Sequence, residues 1–477
     1  MSASLAAAAP SPLRYRDSLI AAFIIGVAVL GGLTVGDRSP EWWIPLGIIA
    51  VIGTLYLSAR WPFMSLLLIL GSSILLVVVR VSGLRSVNLI DILMPPALLM
   101  SYFGHARLQA RAHSEAGPAH ERLRRAEHAL TRSVVVFHAL AALSLFELAH
   151  LAGTPAALDS ALLLIRAVQG LLLYPLCMWW LRTPERISRA WRAVVVAGLV
   201  LGVVNLIGVA AWDVKRAGMT LFLNNPDAPF STPNEAGTAT LVVAVVLIIR
   251  QIMRPDWKNL ALGALMVVTT GLTQSRSGLL AWVTFGLLTL RWVRPSRLIA
   301  GAVTLGALLP LLPPSFWIRM ARTLTVERGS FEFYSFFQRV VGWVTAWRVF
   351  QDHPWTGVGY LGFRFVSHRY NDLRIVFVTV ENYFYETLIS MGVVGLVVLA
   401  VVLARLFLLG REVQRLAPPG TLAHHMARFH TPLVLALLVA NMTGDNLTGM
   451  VGIAQLAMWT AVLVRSGHAA VATDTRT

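Results

Sequence analysis

Residues 380–409 read VENYFYETLISMGVVGLVVLAVVLARLFLL, and this run decides the fold. After a polar start it is apolar for longer than the roughly 20 residues that a helix needs to cross the hydrocarbon core of a bilayer. A long polar interruption, residues 316–379, precedes it and carries arginines, aromatic residues and a Gly-Val-Gly turn. The pattern predicts a membrane-spanning helix next to a large, partly helical loop, where we expect any chemistry to lie.

The composition extends this prediction to the rest of the chain. Of its 477 residues, 56% are hydrophobic and only 13% are charged, which is more apolar surface than a water-soluble domain can bury. The sequence therefore predicts an all-α polytopic helix bundle, with residues 1–477 in a single membrane domain. About fourteen candidate spans lie near 19–35, 43–58, 62–80, 87–103, 133–152, 158–181, 193–212, 236–250, 259–274, 278–292, 298–315, 380–409, 430–447 and 449–465.

The formal net charge of +17 indicates how the bundle is oriented. With the N-terminus in the cytoplasm, every short inner connection is basic, including the linker at residues 104–132. Because cytoplasmic loops are enriched in Lys and Arg, this agreement predicts cytoplasmic N- and C-termini and places residues 316–379 on the outer side. The excess of cations is thereby explained without nucleic acid as a partner.

The outer segments nevertheless hold more arginine than orientation explains. Residues 316–379 carry eight arginines, most of which we expect to contact lipid headgroups or to serve folding. Arg276 differs, because it lies in a short turn between two predicted spans and is expected to face the bundle. A guanidinium presents a planar fork of donors that matches phosphate oxygens. Several such forks converging at the outer surface would hold a diphosphate, which suggests a lipid-linked pyrophosphate substrate.

Glu381 stands at the outer start of the span at 380–409. One interpretation is a first-turn acid that interacts favourably with the helix dipole. The other is a general base that takes the proton of a sugar hydroxyl as the hydroxyl oxygen attacks. Position alone favours the first interpretation. The stretch that opens with Gln338-Arg339 and the turn Gly357-Val-Gly359 favour the second.

Charged residues within the predicted spans are costly to bury, so a functional role is the default hypothesis for them. Arg166, near the outer half of its span, either joins the phosphate site or pairs with Glu147 on the preceding helix, and the sequence does not separate the two. Asp91 lies within another span, and Asp445 lies at an outer helix end where it could line the same cavity.

Four short motifs occur in an order typical of one known family. They are Arg216-Ala-Gly with Pro233-Asn234, Leu272-Thr-Gln-Ser-Arg276-Ser-Gly, Gln338-Arg339 with His353-Pro-Trp-Thr-Gly357-Val-Gly359, and Glu381-Asn382-Tyr383 with Gly392-Val-Val-Gly395. In these motifs, which cover about the C-terminal half, the chain resembles the O-antigen ligase and O-antigen polymerase superfamily of bacterial envelope glycosyltransferases.

The resemblance implies an all-helical, GT-C-type enzyme of the bacterial inner membrane that works at the periplasmic face without metal, nucleotide sugar or other cofactor. It would be an inverting transferase that moves a glycan from undecaprenyl diphosphate to an acceptor hydroxyl. Glu381 would be the base, and Arg276 and Arg339 would bind the departing diphosphate. Further substrate contacts would come from Arg216, Asn234, Arg166, Asn382 and Tyr383.

The family's ligases usually have His at the position before Asn382, and this chain has Glu381. The departure favours a polymerase of lipid-linked repeat units over a ligase that acts on lipid A core. Expected partners are a lipid-linked oligosaccharide donor, a glycan or lipid-linked acceptor, membrane lipids and other envelope-polysaccharide assembly proteins. A lipid-linked oligosaccharide transporter is the alternative of another class. It would need charges across the membrane midplane, whereas the charges here collect on one face.

Overall fold

The structure is a computed structural model that describes residues 61–75, 78–79, 87–88, 93–98, 118–211, 233–292, 314–325, 331–444, 447 and 450–474, with short stretches between 303 and 312. Within these residues the α-helices are α1 (Pro62–Leu75), α2 (Pro118–Ala152), α3 (Thr154–Trp180), α4 (Pro184–Ala211), α5 (Pro233–Met253), α6 (Trp257–Thr273), α7 (Arg276–Thr289), α8 (Pro314–Thr325), α9 (Phe331–Asp352), α10 (Phe363–Val366), α11 (Tyr383–Leu416), α12 (Leu422–Ala440) and α13 (Met450–Asp474).

The all-α prediction is confirmed for the described part of the chain, apart from one short strand pair. Strands β1 (Val78–Val79) and β2 (Val87–Asn88) pair in antiparallel fashion after α1. This pairing takes the chain out of the helical conformation, so α1 ends at Leu75 rather than at the predicted residue 80. The described part of the predicted linker at 104–132 is helical and continues without a break into the next span as α2.

Five of the described helices are long and apolar enough to cross a membrane. They are Pro118–Ala152, Thr154–Trp180, Asn234–Met253, Tyr383–Leu416 and Met450–Ala472. Each coincides with a predicted span, and the chain is therefore a membrane protein. The predicted spans at 19–35 and 43–58 lie outside the described residues, and the full number of spans stays a prediction.

The helices differ in how much of their surface the bundle covers. The most apolar windows of α5 and α13 are 72% and 89% buried, whereas that of α2 is 22% buried. A helix that is apolar all round is covered either by protein or by lipid. Helices α5 and α13 therefore lie inside the bundle, and α2 turns apolar side chains such as Phe146 outward, as expected of a surface that faces lipid.

Helix α11 is interrupted at Gly392, whose backbone has φ 64° and ψ −164°. The break frees the carbonyls of Ile389 and Ser390, and the amides of Val358 and Gly359 bond to them at 2.8 and 3.0 Å. In return the Val393 amide donates to the Pro354 carbonyl at 2.8 Å. The segment 354–359 therefore replaces the helical hydrogen bonds that the break removes, as buried backbone groups require.

Close backbone contact explains why glycine occupies both sides of this junction. A Cβ added to Gly392 would lie 2.1 Å from the Trp355 carbonyl oxygen, and one added to Gly357 would lie 2.2 Å from that of Ile389. Both glycines also have positive φ angles, which other residues adopt only with strain. The loop and the broken helix thus form a single packed unit.

The segment between α8 and α11 has a small core of its own. Side chains from α9, the following loop and the start of α11 bury one another there: Ala346, Val349, Val358, Phe363, Val366, Phe377, Val380 and Ile389. Arginines tie this core to its surroundings. Arg364 pairs with Asp159 at the start of α3 at 2.5 Å, and Arg369 donates to the Leu151 carbonyl at 3.2 Å. These two arginines act in folding, as expected for most of the loop arginines.

Candidate active site

One face of α9 organises the candidate site. Ser335, Arg339 and Trp343 are spaced four residues apart, so they project from the same side of the helix. Ser335 Oγ accepts a hydrogen bond of 3.2 Å from the Arg276 guanidinium. Arg339 contacts the Glu381 carboxylate through two of its nitrogens. The helix therefore brings the two predicted arginines and the predicted base together, although they are distant in the sequence.

The Trp343 side chain extends this face toward the start of α11. Its indole Nε1 donates to the Val380 carbonyl at 3.1 Å. Its ring lies nearly parallel to that of Tyr385, with the centroids 6.5 Å apart. The contact anchors the residue immediately before Glu381 and packs an aromatic pair beside it.

Arg276 is placed by the tight turn between α6 and α7. Gln274 ends α6 in the left-handed conformation with φ 49°, and Ser275 caps α7 by accepting a hydrogen bond from the Gly278 amide at 3.0 Å. Arg276 is consequently the first residue of α7. The side chain contacts Ser335 on α9, within the segment 316–379, and its predicted orientation toward the bundle stays a prediction.

The predicted residue Asn234 links a third helix to this end of the bundle. Its Oδ1 accepts a hydrogen bond of 2.7 Å from Ser275 Oγ. A Cβ added to Gly444 would lie 3.5 Å from the Asn234 amide nitrogen, which places the turn after α12 against the same residue. Asn234 therefore holds the start of α5 to the start of α7, and its predicted contact with substrate stays a prediction.

Glu381 has a left-handed backbone, with φ 50°. Such a conformation is uncommon for a residue other than glycine and clusters at functional sites. The side chain of Asn382 then caps α11 by accepting hydrogen bonds from the Phe384 and Tyr385 amides, and its own amide donates to the Met442 carbonyl at 3.0 Å. Asn382 thus fixes the helix start that carries Glu381, and this use of its side chain leaves its predicted substrate contact untested.

The site combines two kinds of positive electrostatic potential, from helix N-termini and from arginine side chains. The N-terminal ends of α5, α7 and α11 meet through Asn234, Ser275 and Asn382 and the turn at 441–444. Helix N-termini carry partial positive charge and favour anions. Arg276 and Arg339 add two formal positive charges, and the Glu381 carboxylate contacts one of them. The Glu381 side chain is 47% exposed and that of Arg339 is 20% exposed, so both can be reached by a ligand.

An apolar cavity of about 600 Å³ begins at the first turns of α11. Its lining includes Tyr383 and Glu386 from the first turns of α11, Leu406 from the later part of α11, and Leu130 from α2. With a rise of 1.5 Å per residue, α11 carries the lining over about 30 Å between Glu386 and Leu406, the thickness of the hydrocarbon core of a bilayer. The lining therefore follows α11 from Tyr383, two residues after Glu381, over a length comparable with the hydrocarbon core.

The structure does not test two of the predicted substrate-binding residues. Arg216 lies outside the described residues. Arg166 lies on α3, which packs chiefly against α13 and α2, and its role in binding stays a prediction. Tyr383 lies beside the site, where it lines the cavity and packs edge to face against Phe384. Asp445 lies outside the described residues as well.

Sequence reasoning missed several residues that complete the site. Ser335, the partner of Arg276, precedes Arg339 by four residues, which is about one helical turn. A predicted helix through Gln338-Arg339 places Ser335 on the same face as Arg339. Glu386 and Ser390 follow Glu381 on α11 and are 3% and 2% exposed. The acidic residue Glu386 within an apolar run was the sequence feature that could have indicated a functional position. Within the described residues, no group of three or more His, Cys, Asp or Glu side chains is arranged to hold a metal ion.

The fold and the site together define a class: a predominantly helical membrane protein in which two arginines and a carboxylate lie near a long apolar cavity. Residues 261–400 match the family model described as O-antigen ligase. The matched region runs from α6 into α11 and contains Arg276, Arg339 and Glu381. The match confirms the resemblance seen in the motifs and indicates a function of the O-antigen ligase or polymerase type in envelope polysaccharide synthesis. A comparison with curated proteins finds no significant match.

Proposed function

We propose that the protein is a metal-independent, inverting glycosyltransferase that moves a glycan from undecaprenyl diphosphate to a sugar hydroxyl. Two observations support the proposal: α9 contacts Arg276 through Ser335 and Glu381 through Arg339, and Tyr383, two residues after Glu381, lines the apolar cavity. Arginine guanidinium groups suit a diphosphate, and a carboxylate suits the activation of an acceptor hydroxyl. A long apolar cleft suits a polyprenyl chain.

The donor would bind with its diphosphate at Arg276 and Arg339. Arginine is suited to this task because its charge persists at any physiological pH and its donors pair with two phosphate oxygens at once. The N-termini of α7 and α11 would add further attraction. As the sugar leaves, the diphosphate gains negative charge, and preorganised donors stabilise that charge in the transition state.

The polyprenyl part of the donor would occupy the cavity between α2, α3, α11 and α13. Its lining is apolar apart from a few groups at its ends. The chain would then cross the membrane beside α11, while the diphosphate remains at the end where the arginines lie.

The transfer itself would be a displacement at the anomeric carbon. The acceptor oxygen forms the new bond to that carbon, the bond to the diphosphate oxygen breaks, and the hydroxyl proton passes to Glu381. In the structure the Glu381 carboxylate is engaged by Arg339. A bound diphosphate would compete for the same guanidinium and release the carboxylate for the acceptor. Donor binding would thus precede activation of the hydroxyl.

Two acceptors are consistent with this chemistry. Glu381 at the position where the family's ligases usually have His favours polymerisation, in which a lipid-linked repeat unit is extended in the synthesis of O-antigen, capsule or exopolysaccharide. The description of the matching family as O-antigen ligase favours transfer to lipid A core instead. Either reaction would take place at the periplasmic face of the inner membrane, with both chain termini in the cytoplasm.

The experiment that tests the proposal uses purified protein in liposomes with undecaprenyl-diphosphate-linked repeat unit as the only glycan. No nucleotide sugar or energy source is added. A ladder of longer lipid-linked glycans supports the polymerase, and transfer only after lipid A core is added supports the ligase. Movement of the donor between leaflets without transfer to either acceptor overturns the proposal in favour of a transporter.

A further inference from the structure

A second carboxylate, Glu386, lies on α11 beyond the proposed base. It is 3% exposed, and its two oxygens have different partners. Oε2 accepts from the Val380 amide at 3.3 Å, and Oε1 accepts from Ser390 Oγ at 3.2 Å. Withdrawing a carboxylate from water is costly unless hydrogen bonds compensate for the lost hydration. Its retention inside an apolar helix therefore calls for a role.

Ser390 connects this carboxylate to the loop that fills the break in α11. Its Oγ accepts a hydrogen bond from the Leu361 amide at 3.1 Å, and its carbonyl accepts one from the Gly359 amide at 3.0 Å. A continuous hydrogen-bonded path thus leads from the loop through Ser390 and Glu386 to the Val380 amide.

The Val380 residue at the end of this path is held on both sides. Its amide donates to Glu386, and its carbonyl accepts from Trp343 Nε1 at 3.1 Å. Glu381 follows directly, in a left-handed conformation that would relax if its neighbours allowed. The Glu381 amide also donates to Thr379 Oγ1 at 3.2 Å. The two contacts of Val380 hold the backbone from which the Glu381 side chain projects and so help to set its direction.

We propose that Glu386 is a positioning residue for Glu381, which it holds in its strained conformation through the Val380 amide and the Ser390 hydroxyl. The inference rests on the proposed function, in which Glu381 is the base. A misplacement of about 1 Å in a reacting group can lower a rate about 100-fold. Glu386 acts as a hydrogen-bond acceptor. A glutamine at this position can accept from the Val380 amide through its oxygen and donate to Ser390 Oγ through its NH2 group.

The test compares Glu386→Ala with Glu386→Gln in the reconstituted full-length protein, using the lipid-linked repeat unit or lipid A core acceptor. The alanine variant should lower kcat by about 10- to 100-fold with little change in the donor KM, because positioning rather than binding is lost. The glutamine variant retains an acceptor for the Val380 amide and should recover kcat to within about threefold of the parent. Thr345→Val removes a buried hydroxyl that bonds only within α9 and is the matched control for folding.

The outcomes separate positioning from direct chemistry. If Glu386→Gln is as slow as Glu386→Ala, the carboxylate itself takes part in proton transfer and the inference is overturned. Equal kcat for Glu386→Ala and the parent overturns it as well. Ser390→Ala should be slower than the parent, and adding it to Glu386→Ala should cause no further loss, because the two residues act on one path.

Hydrogen exchange supplies a readout that does not depend on turnover. Peptides that contain Val380 should exchange faster in Glu386→Ala than in the parent, whereas Glu386→Gln and the control Thr345→Val should exchange at the parental rate. If the parent shows no transfer to any acceptor, the proposed function fails. The exchange rate of the Val380 amide still shows whether Glu386 holds this part of the backbone. Unchanged exchange in Glu386→Ala overturns the inference even in an active enzyme.

Discussion

Glu381 and Arg339 contact each other, but only one of them has a strained backbone. Arg339 lies in the regular part of α9, whereas Glu381 has φ 50° immediately before the cap of α11. The sequence identified both residues by type and position. It could not show that they meet, because the register of α9 against the start of α11 depends on contacts such as that between Trp343 and Val380.

Substitutions at the two ends of the proposed reaction should separate rate from affinity. Glu381→Gln keeps the shape of the side chain but removes the base, so transfer should slow by about 10² to 10⁴-fold while donor binding persists. Arg276→Ala removes a phosphate ligand and should weaken donor binding. Single-turnover rates and binding of the lipid-linked donor measure the two effects.

The matched controls for these variants lie at the opposite end of α11. Glu412→Gln and Arg415→Ala change the same residue types where Arg415 and Glu412 pair near the surface, and both should behave as the parent protein. Parental transfer by Glu381→Gln would contradict its role as the base, and unchanged donor affinity of Arg276→Ala would contradict its role at the diphosphate.

At the scale of elements, hydrophobic runs predicted helices well because crossing a bilayer requires length and apolar composition together. The five span-length helices coincide with predicted spans. The break inside α11 was not predicted. Gly392 and Gly395 both lie in the same apolar run, and their identity alone does not distinguish a helical glycine from one that ends a helical turn. The distinction comes from the segment 354–359, which is distant from α11 in sequence.

Gly392→Ala should destabilise the protein. The backbone conformation there is one that glycine alone adopts readily, and strain of this kind costs about 1–3 kcal/mol. The added Cβ would also lie 2.1 Å from the Trp355 carbonyl oxygen. A lower midpoint of thermal unfolding in detergent and loss of transfer are expected.

Gly286→Ala is the control, since a Cβ at Gly286 in α7 meets nothing within 4 Å. It should leave the midpoint unchanged or raise it slightly, because alanine favours the helix. If the Gly392→Ala protein is as stable as the parent, the close contact between the segment 354–359 and α11 is not needed for stability.

For the whole molecule, the charge pattern predicts which face of the membrane carries the site. In the structure the candidate site lies at the start of α11, and the turn between α11 and α12 lies at the other end of the helix. The basic connections predict that the end carrying the site is periplasmic. This prediction can be measured directly.

Cysteine labelling tests the orientation. In a Cys177→Ala background, Asp372→Cys and Arg415→Cys place thiols at side chains that are 92% and 77% exposed, on opposite sides of the bundle. A membrane-impermeant maleimide should label the first in intact spheroplasts and the second only after permeabilisation. The reverse pattern would invert the predicted topology.

The junction between the segment 354–359 and α11 has a consequence for how a lipid would reach the site. Moving this segment away would leave the carbonyls of Ile389 and Ser390 without donors inside the protein, a cost that disfavours opening. Tyr360 and Leu361, which directly follow this segment and line the cavity, are therefore held in place. A lipid-linked donor would then reach the cavity from the bilayer, between the helices that line it.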